Sequence, residues 1–178
     1  MNPKFLDCLA NDSGSPPTAV ATVKRGKLND TLCLHLEHIK QGLNFDLFTV
    51  ERSNLDANGI PVTGFTNFGL AWYQSDIHIR SGSTNAGTGK VTIKTILLDQ
   101  IFGFDPDVNL APTNTFHVGF WFNDPNDAAA CGFTGFTPFN GEHHAGPNAM
   151  ISVPDPDTDL GPLCTNPDTS TNPPHCNP

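Results

Sequence analysis

The chain has 178 residues, with 13 Phe, 16 Gly and 16 Pro, and a formal net charge of -9 on only 9 Lys plus Arg. That length suits a single core burying roughly 70% of the unfolded surface, and abundant Phe broken by many turn residues points to an all-β protein. The acidic field argues against a nucleic-acid partner, no apolar run reaches the roughly 20 residues of a membrane helix, and the start MNPKFLDCLAND lacks the apolar stretch of a signal peptide.

Residues 1–19, containing DSGSPP, read as an N-terminal arm. Strand-like segments separated by turns begin at Val20. In TLCLHLEHI, Leu32, Leu34 and Leu36 alternate with Cys33, His35 and Glu37, which predicts one buried and one wet face. NFDLFTVE follows the turn KQG. SNLDANGIPVTGFTNFG is a long loop turning at Asn58 and Gly59, after which FGLAWYQSDIHIR resumes strand chemistry, with Ile77 and Ile79 alternating with Asp76, His78 and Arg80. SGSTNAGTG then leads into KVTIKTILLD, and the two strands read as a hairpin with a long tip.

Thr115 to Asn123 predicts a strand with Phe116, Val118, Phe120 and Phe122 on one face and His117, Gly119 and Trp121 on the other. DPNDAAACG carries the one good helix signal, with Asp124 as N-cap, Pro125 at the first helical position and Gly132 as C-cap. AMISVP supplies a last strand, and residues 154–178 are too rich in Pro, Asp, Asn and Thr to pack as regular structure. About seven strands and one helical turn predict an antiparallel β-sandwich over residues 20–153, immunoglobulin-like or jelly-roll in style. An eight-stranded barrel is the rival architecture.

Cys8, Cys33, Cys131, Cys164 and Cys176 form no CxxC pair and read as structural disulfides of an oxidising compartment. Cys164 and Cys176 would close a short Pro-rich loop and stabilise it by on the order of 3 kcal/mol, and the odd count leaves one thiol over. An exported protein whose signal was replaced by an initiator Met reconciles the cysteines with the missing leader. The expected location is therefore extracellular, periplasmic or at the cell surface.

Through FDLFTVERSN, FGLAWYQSDI, NTFHVGFWFNDPNDAAACG and TPFNGEHHAG the chain resembles a group of uncharacterised bacterial β-rich proteins of exported type. The similarity covers most of Val20 to Val153. It implies an extracytoplasmic β-rich domain and no particular activity.

Among candidate sites, His117, His143 and His144 come first. Imidazole suits Zn and Cu, and one strand histidine plus two from a loop would leave an open coordination position, with Glu142 as fourth ligand or general base. The competing interpretation is a hydrogen-bonded strand histidine and an exposed loop pair. Cys33, His35 and Glu37 share a strand face at alternate positions roughly 7 Å apart, better suited to solvent than to convergent ligands, and His78 with Asp76 and Arg80 reads the same way.

Calcium prefers clustered oxygens, which Asp105 and Asp107, the NDPND turn at Asn123 to Asp127, and Asp155, Asp157 and Asp159 could offer, although turn and cap chemistry accounts for them equally. Trp72, Tyr73 and Trp121 could form a platform for sugar rings, whereas Phe133, Phe136 and Phe139 read as pins holding their loop to the sandwich. No nucleophile elbow, phosphate loop or dinucleotide fingerprint occurs, and GTGK at Gly87 to Lys90 merely ends a turn.

The composite expectation is an extracytoplasmic β-sandwich that binds or assembles without catalysis, as a surface, matrix or accessory subunit meeting a glycan, a protein or further copies of itself. The alternatives are a Zn or Cu enzyme built on the histidines and a carbohydrate-binding module with structural calcium.

Overall fold

The computed structural model describes residues 1–11, 14–26, 30–82, 86–95, 102–103, 113–135 and 145–177. A 3-10 turn at Pro3–Phe5 and a short helix α1 at Leu6–Leu9 come first. The strands are β1 (Thr18–Lys24), β2 (Asp30–Glu37), β3 (Asn44–Val50), β4 (Ala71–His78), β5 (Gly89–Thr95), β6 (Phe102–Gly103), β7 (Thr113–Asn114), β8 (His117–Phe122), β9 (Asn148–Ile151), β10 (Pro167–Asp168) and β11 (His175–Cys176). They form antiparallel sheets in the orders β1-β2-β5 and β4-β3-β8-β9, with β6-β7 and β10-β11 as small ribbons. The sheets do not close on themselves, so the fold is a sandwich and the barrel alternative falls away.

The alternation in β2 does what it predicts. Leu32, Leu34 and Leu36 point inward and meet Phe45, Leu47 and Ile77 from the second sheet together with Val118, Phe120 and Phe122. Complete removal of such side chains from water is worth roughly 1.5–3 kcal/mol each. Every residue of β8 is buried, because the outer face of this sheet is covered as well. There Trp121, Val50 and Ile151 pack with Leu55, Phe48 and Phe68 in a second cluster.

Four local expectations meet tertiary structure. The helix at Pro125–Cys131 forms with Asp124 as N-cap and Gly132 as a left-handed C-cap, but winds as 3-10. Residues 1–11 do not trail as a loose arm: Phe5, Cys8 and Leu9 enter the core, Asn2 N donates to Ala149 O at 2.8 Å, and a disulfide joins Cys8 to Cys131. The segment is too short for periodicity to reveal it, and the covalent link with edge-on contacts from Phe5 to Phe122 and Phe133 holds it in place.

The hairpin expected between β4 and β5 is replaced by a change of layer. β5 pairs with β2, with Leu34 opposite Val91, and β4 pairs with β3. Backbone bonds between Arg80 and Thr88 and between Gly87 and Arg80 staple the crossover. Alternating polarity tells which face of a strand is buried, not which edge it pairs.

The tail, expected to hold no regular structure, carries the short antiparallel ribbon β10-β11, with Pro167 opposite Cys176 and Asp168 opposite His175. The anticipated Cys164–Cys176 disulfide is present, Cys33 is the free thiol, and Leu160 and Leu163 are buried. Leu163 N donates to Phe116 O at 3.0 Å, and Gly161 lies so close to the Phe116 carbonyl that a Cβ would collide with it.

Candidate functional site

Between β3 and β4 the chain crosses the outer face of the four-stranded sheet. Asp56 shapes this crossing, its Oδ1 accepting from Asn58 N at 2.9 Å and Ile60 N at 2.8 Å, while Gly59 takes a φ of 76° that an L side chain rarely adopts. Further along, Asn67 Oδ1 accepts from Gly69 N and Arg52 Nη1, and Leu70 N donates to Glu51 Oε2. These bonds hold Phe65 against Phe68 at 4.8 Å and Phe68 against Trp121 at 5.1 Å between ring centroids, both edge-to-face.

Beneath this aromatic stack lies a cavity of about 690 Å³. Phe5, Phe65, Phe68, Trp121 and Phe133 form most of its wall, joined by Ala71 and Pro147, and the exposed Lys4 is the sole charged group among the lining residues. Asn2, Asn54, Thr66, Asn67 and Asn148 supply polarity. Asn148 is 6% exposed and its Nδ2 donates to Met150 O at 2.9 Å. That bond fixes the carboxamide orientation, since a carbonyl can only accept. Oδ1 of Asn148 and Oδ1 of Asn54 are buried and receive no hydrogen bond among the described residues. A buried acceptor left unmet costs about 1–3 kcal/mol, so these two oxygens are a cost that the surrounding apolar packing offsets.

Of the residues singled out from sequence, Trp121 and Phe133 line this cavity, and His117, His35, His78, Asp155, Trp72 and Tyr73 are not among its lining residues. His117 is buried, with Nδ1 3.0 Å from Ser152 O and 3.1 Å from Ser152 Oγ. The carbonyl requires that Nδ1 carry the proton, and burial pushes the imidazole pKa down to about 4 despite that bond. Glu142, His143 and His144 lie outside the described residues, as do Asp105, Asp107, Phe136 and Phe139.

Among the described residues, no three His, Cys, Asp or Glu side chains converge as a metal centre requires. Asp155 is occupied with turn chemistry, its Oδ1 accepting from Asp157 N, Thr158 N and Thr158 Oγ1, and the Thr158 donors foremost hold its carboxyl below the ordinary range. Asp157 and Asp159 do not form a group of three carboxylates with it among the described residues. His35 Nε2 sits 3.0 Å from Glu37 Oε1 on an exposed strand face, with Cys33 beside Thr92. His78 Nδ1 meets Asn44 Oδ1 at 2.7 Å, and not the neighbouring Asp76 or Arg80.

Trp121 is fully buried, which removes it from any exposed sugar platform. Trp72 and Tyr73 are 39% and 51% exposed but are neighbours on one strand, so they point to opposite faces of the sheet. The three rings make no common platform.

Sequence reasoning passed over Asn54, Asn148, Phe5, Phe65 and Phe68. Two signals were present: paired aromatics inside a long polar loop, and a lone carboxamide in the otherwise apolar strand NAMI.

No family model, curated protein or solved structure matches the chain. The class to which it can be referred is architectural: a two-layer antiparallel β-sandwich, with a covering loop that roofs an aromatic cavity on the outer face of one sheet.

Proposed function

We propose that this is a non-catalytic, extracytoplasmic binding protein that takes a small, largely apolar molecule into the cavity between the 51–70 loop and the four-stranded sheet. The cavity itself, walled mostly by aromatic side chains under the 51–70 loop, carries the reading. The volume of about 690 Å³ suits it, since ligand pockets run roughly 300–1,000 Å³. Two disulfides favour an oxidising compartment. Lys4 is the only titratable side chain among the lining residues, and a lone exposed amine does not constitute an acid–base or nucleophilic set.

Naphthalene serves as the probe. Wild-type protein is expected to bind it stoichiometrically, while Ala71→Trp, which fills the cavity from β4, loses the uptake yet keeps the native circular dichroism spectrum. Equal uptake by both proteins would sink the proposal.

A second reading, assembly into dimers, draws on β1. This edge strand is exposed along most of its length, and TAVAT from Thr18 to Thr22 reads the same in both directions. Antiparallel pairing of two copies about Val20 would set Thr18 opposite Thr22 and Ala19 opposite Ala21, with no charge in the register. Sedimentation should show a dimer that Val20→Lys returns to monomer; a monomer at every concentration would discard this reading.

A further inference from the structure

We infer that the cavity takes small aromatic monocarboxylates, with the ring system inside and the carboxylate at the Lys4 rim. This rests on the cavity being the binding site proposed above. Phe65, Phe68 and Phe133 are only half-buried, so each still has ring surface to offer a guest. Such walls favour a flat aromatic body, because edge-to-face ring pairs add to what area burial alone supplies.

The rim decides the sign of the head group. Lys4 Nζ sits over the Phe5 ring, 5.5 Å from its centroid, and Phe5 belongs to the cavity wall, so the ammonium stands beside the cavity. No Asp or Glu occurs among the described lining residues to neutralise it. The neighbouring carboxamides are engaged within the protein. Asn2 accepts from Lys4 N and donates to Asn148 O, while Asn67 donates to Thr66 Oγ1 and accepts from Gly69 N and Arg52 Nη1. That leaves the amine as the head-group partner.

Local charge here opposes the global one. A chain of net charge -9 draws cations to its surface in general, yet this cavity presents an ammonium and no carboxylate. Because Lys4 is exposed, a bound carboxylate meets it while still touching water and escapes the cost of full burial.

Titration calorimetry with naphthalene, 2-naphthoate and 2-naphthylmethylammonium tests the charge, since the three share one ring system. We expect 2-naphthoate to bind about fivefold tighter than the ammonium, the upper range of an exposed ion pair. Lys4→Gln should bring that ratio to about one, and Lys4→Glu should reverse it. Decahydro-2-naphthoate, the saturated counterpart, should bind more weakly than 2-naphthoate.

Equal or tighter binding of the ammonium to wild type would overturn the anionic class, and a ratio unchanged in both Lys4 variants would overturn the role of that amine. Equal binding of the saturated acid would overturn the aromatic requirement. Each of these failures leaves naphthalene uptake, and with it the cavity as a site, intact. No uptake of naphthalene or any other probe would overturn the site itself.

Discussion

Arg25 Nη1 lies 2.5 Å from Asp30 Oδ2, and the Asp30 side chain is completely withdrawn from solvent whereas that of Arg25 stays 30% exposed. Asp30 Oδ1 also accepts from Gly26 N at 2.9 Å, and Arg25 Nη2 donates to Leu163 O at 2.9 Å. This group of bonds links the residues after β1 to the start of β2 and ties both to the C-terminal tail. Its two ends are unequal. Arg25→Met strands a buried carboxylate and should cost about 3–5 kcal/mol. Asp30→Leu leaves a guanidinium that can turn to water and should cost less, about 2 kcal/mol. Urea unfolding of both variants checks the order, and equal losses would contradict it.

His117 predicts a pH dependence. Its folded pKa of about 4 lies below the unfolded value of about 6.5, so between these values the unfolded chain holds the proton and the folded chain does not. Stability therefore rises with pH across that window and is lost as pH falls from about 6.5 to about 4, by up to ~3 kcal/mol. The urea midpoint of wild type minus that of His117→Gln, followed from pH 7 to pH 4.5, should shrink accordingly. A pH-independent difference would contradict the buried neutral imidazole.

Cys8 and Cys131 are 123 residues apart, and their bond restrains the unfolded chain over most of its length. Replacing both by Ser should cost about 2–5 kcal/mol. Alkylation gives a separate check: native protein should take one label, at Cys33, and all 5 cysteines should label after reduction and unfolding. More than one label on native protein would count against the pairing.

Tyr73 is the only tyrosine, so its phenolate absorbance can be read without interference. Partial burial first, and then donation to Asp76 Oδ1 at 2.8 Å with the nearby carboxylate charges, push its pKa up to about 12. Titration over the range where circular dichroism stays native should find no phenolate near pH 10. Asp76→Asn should bring the midpoint down, and a wild-type midpoint near the free value of about 10 would remove the hydrogen bond from the account.

Much of this fold is written in short-range pattern. The leucines of β2 and the phenylalanines of β8 declare their buried faces by alternation, Asp124 and Gly132 declare a helical turn by capping chemistry, and Cys164 declares its partner by nearness. The cavity is different in kind. Trp121 and His117 occupy the face of β8 that alternation leaves unassigned, and whether that face is wet depends on the 51–70 loop and the tail lying over it. Asn148 looks like an ordinary strand carboxamide until the fold buries it with one oxygen unanswered.

By itself, then, the sequence determined the all-β class, the strand faces, the caps and the short disulfide, because each follows from interactions within a few residues or from side-chain period. Only the tertiary structure decided that β5 leaves β4 to pair with β2, that Cys8 meets Cys131, and that Phe5, Phe68 and Asn148 converge on one cavity. Those outcomes depend on which distant surfaces bury most area together, a sum over the whole chain that no local window contains.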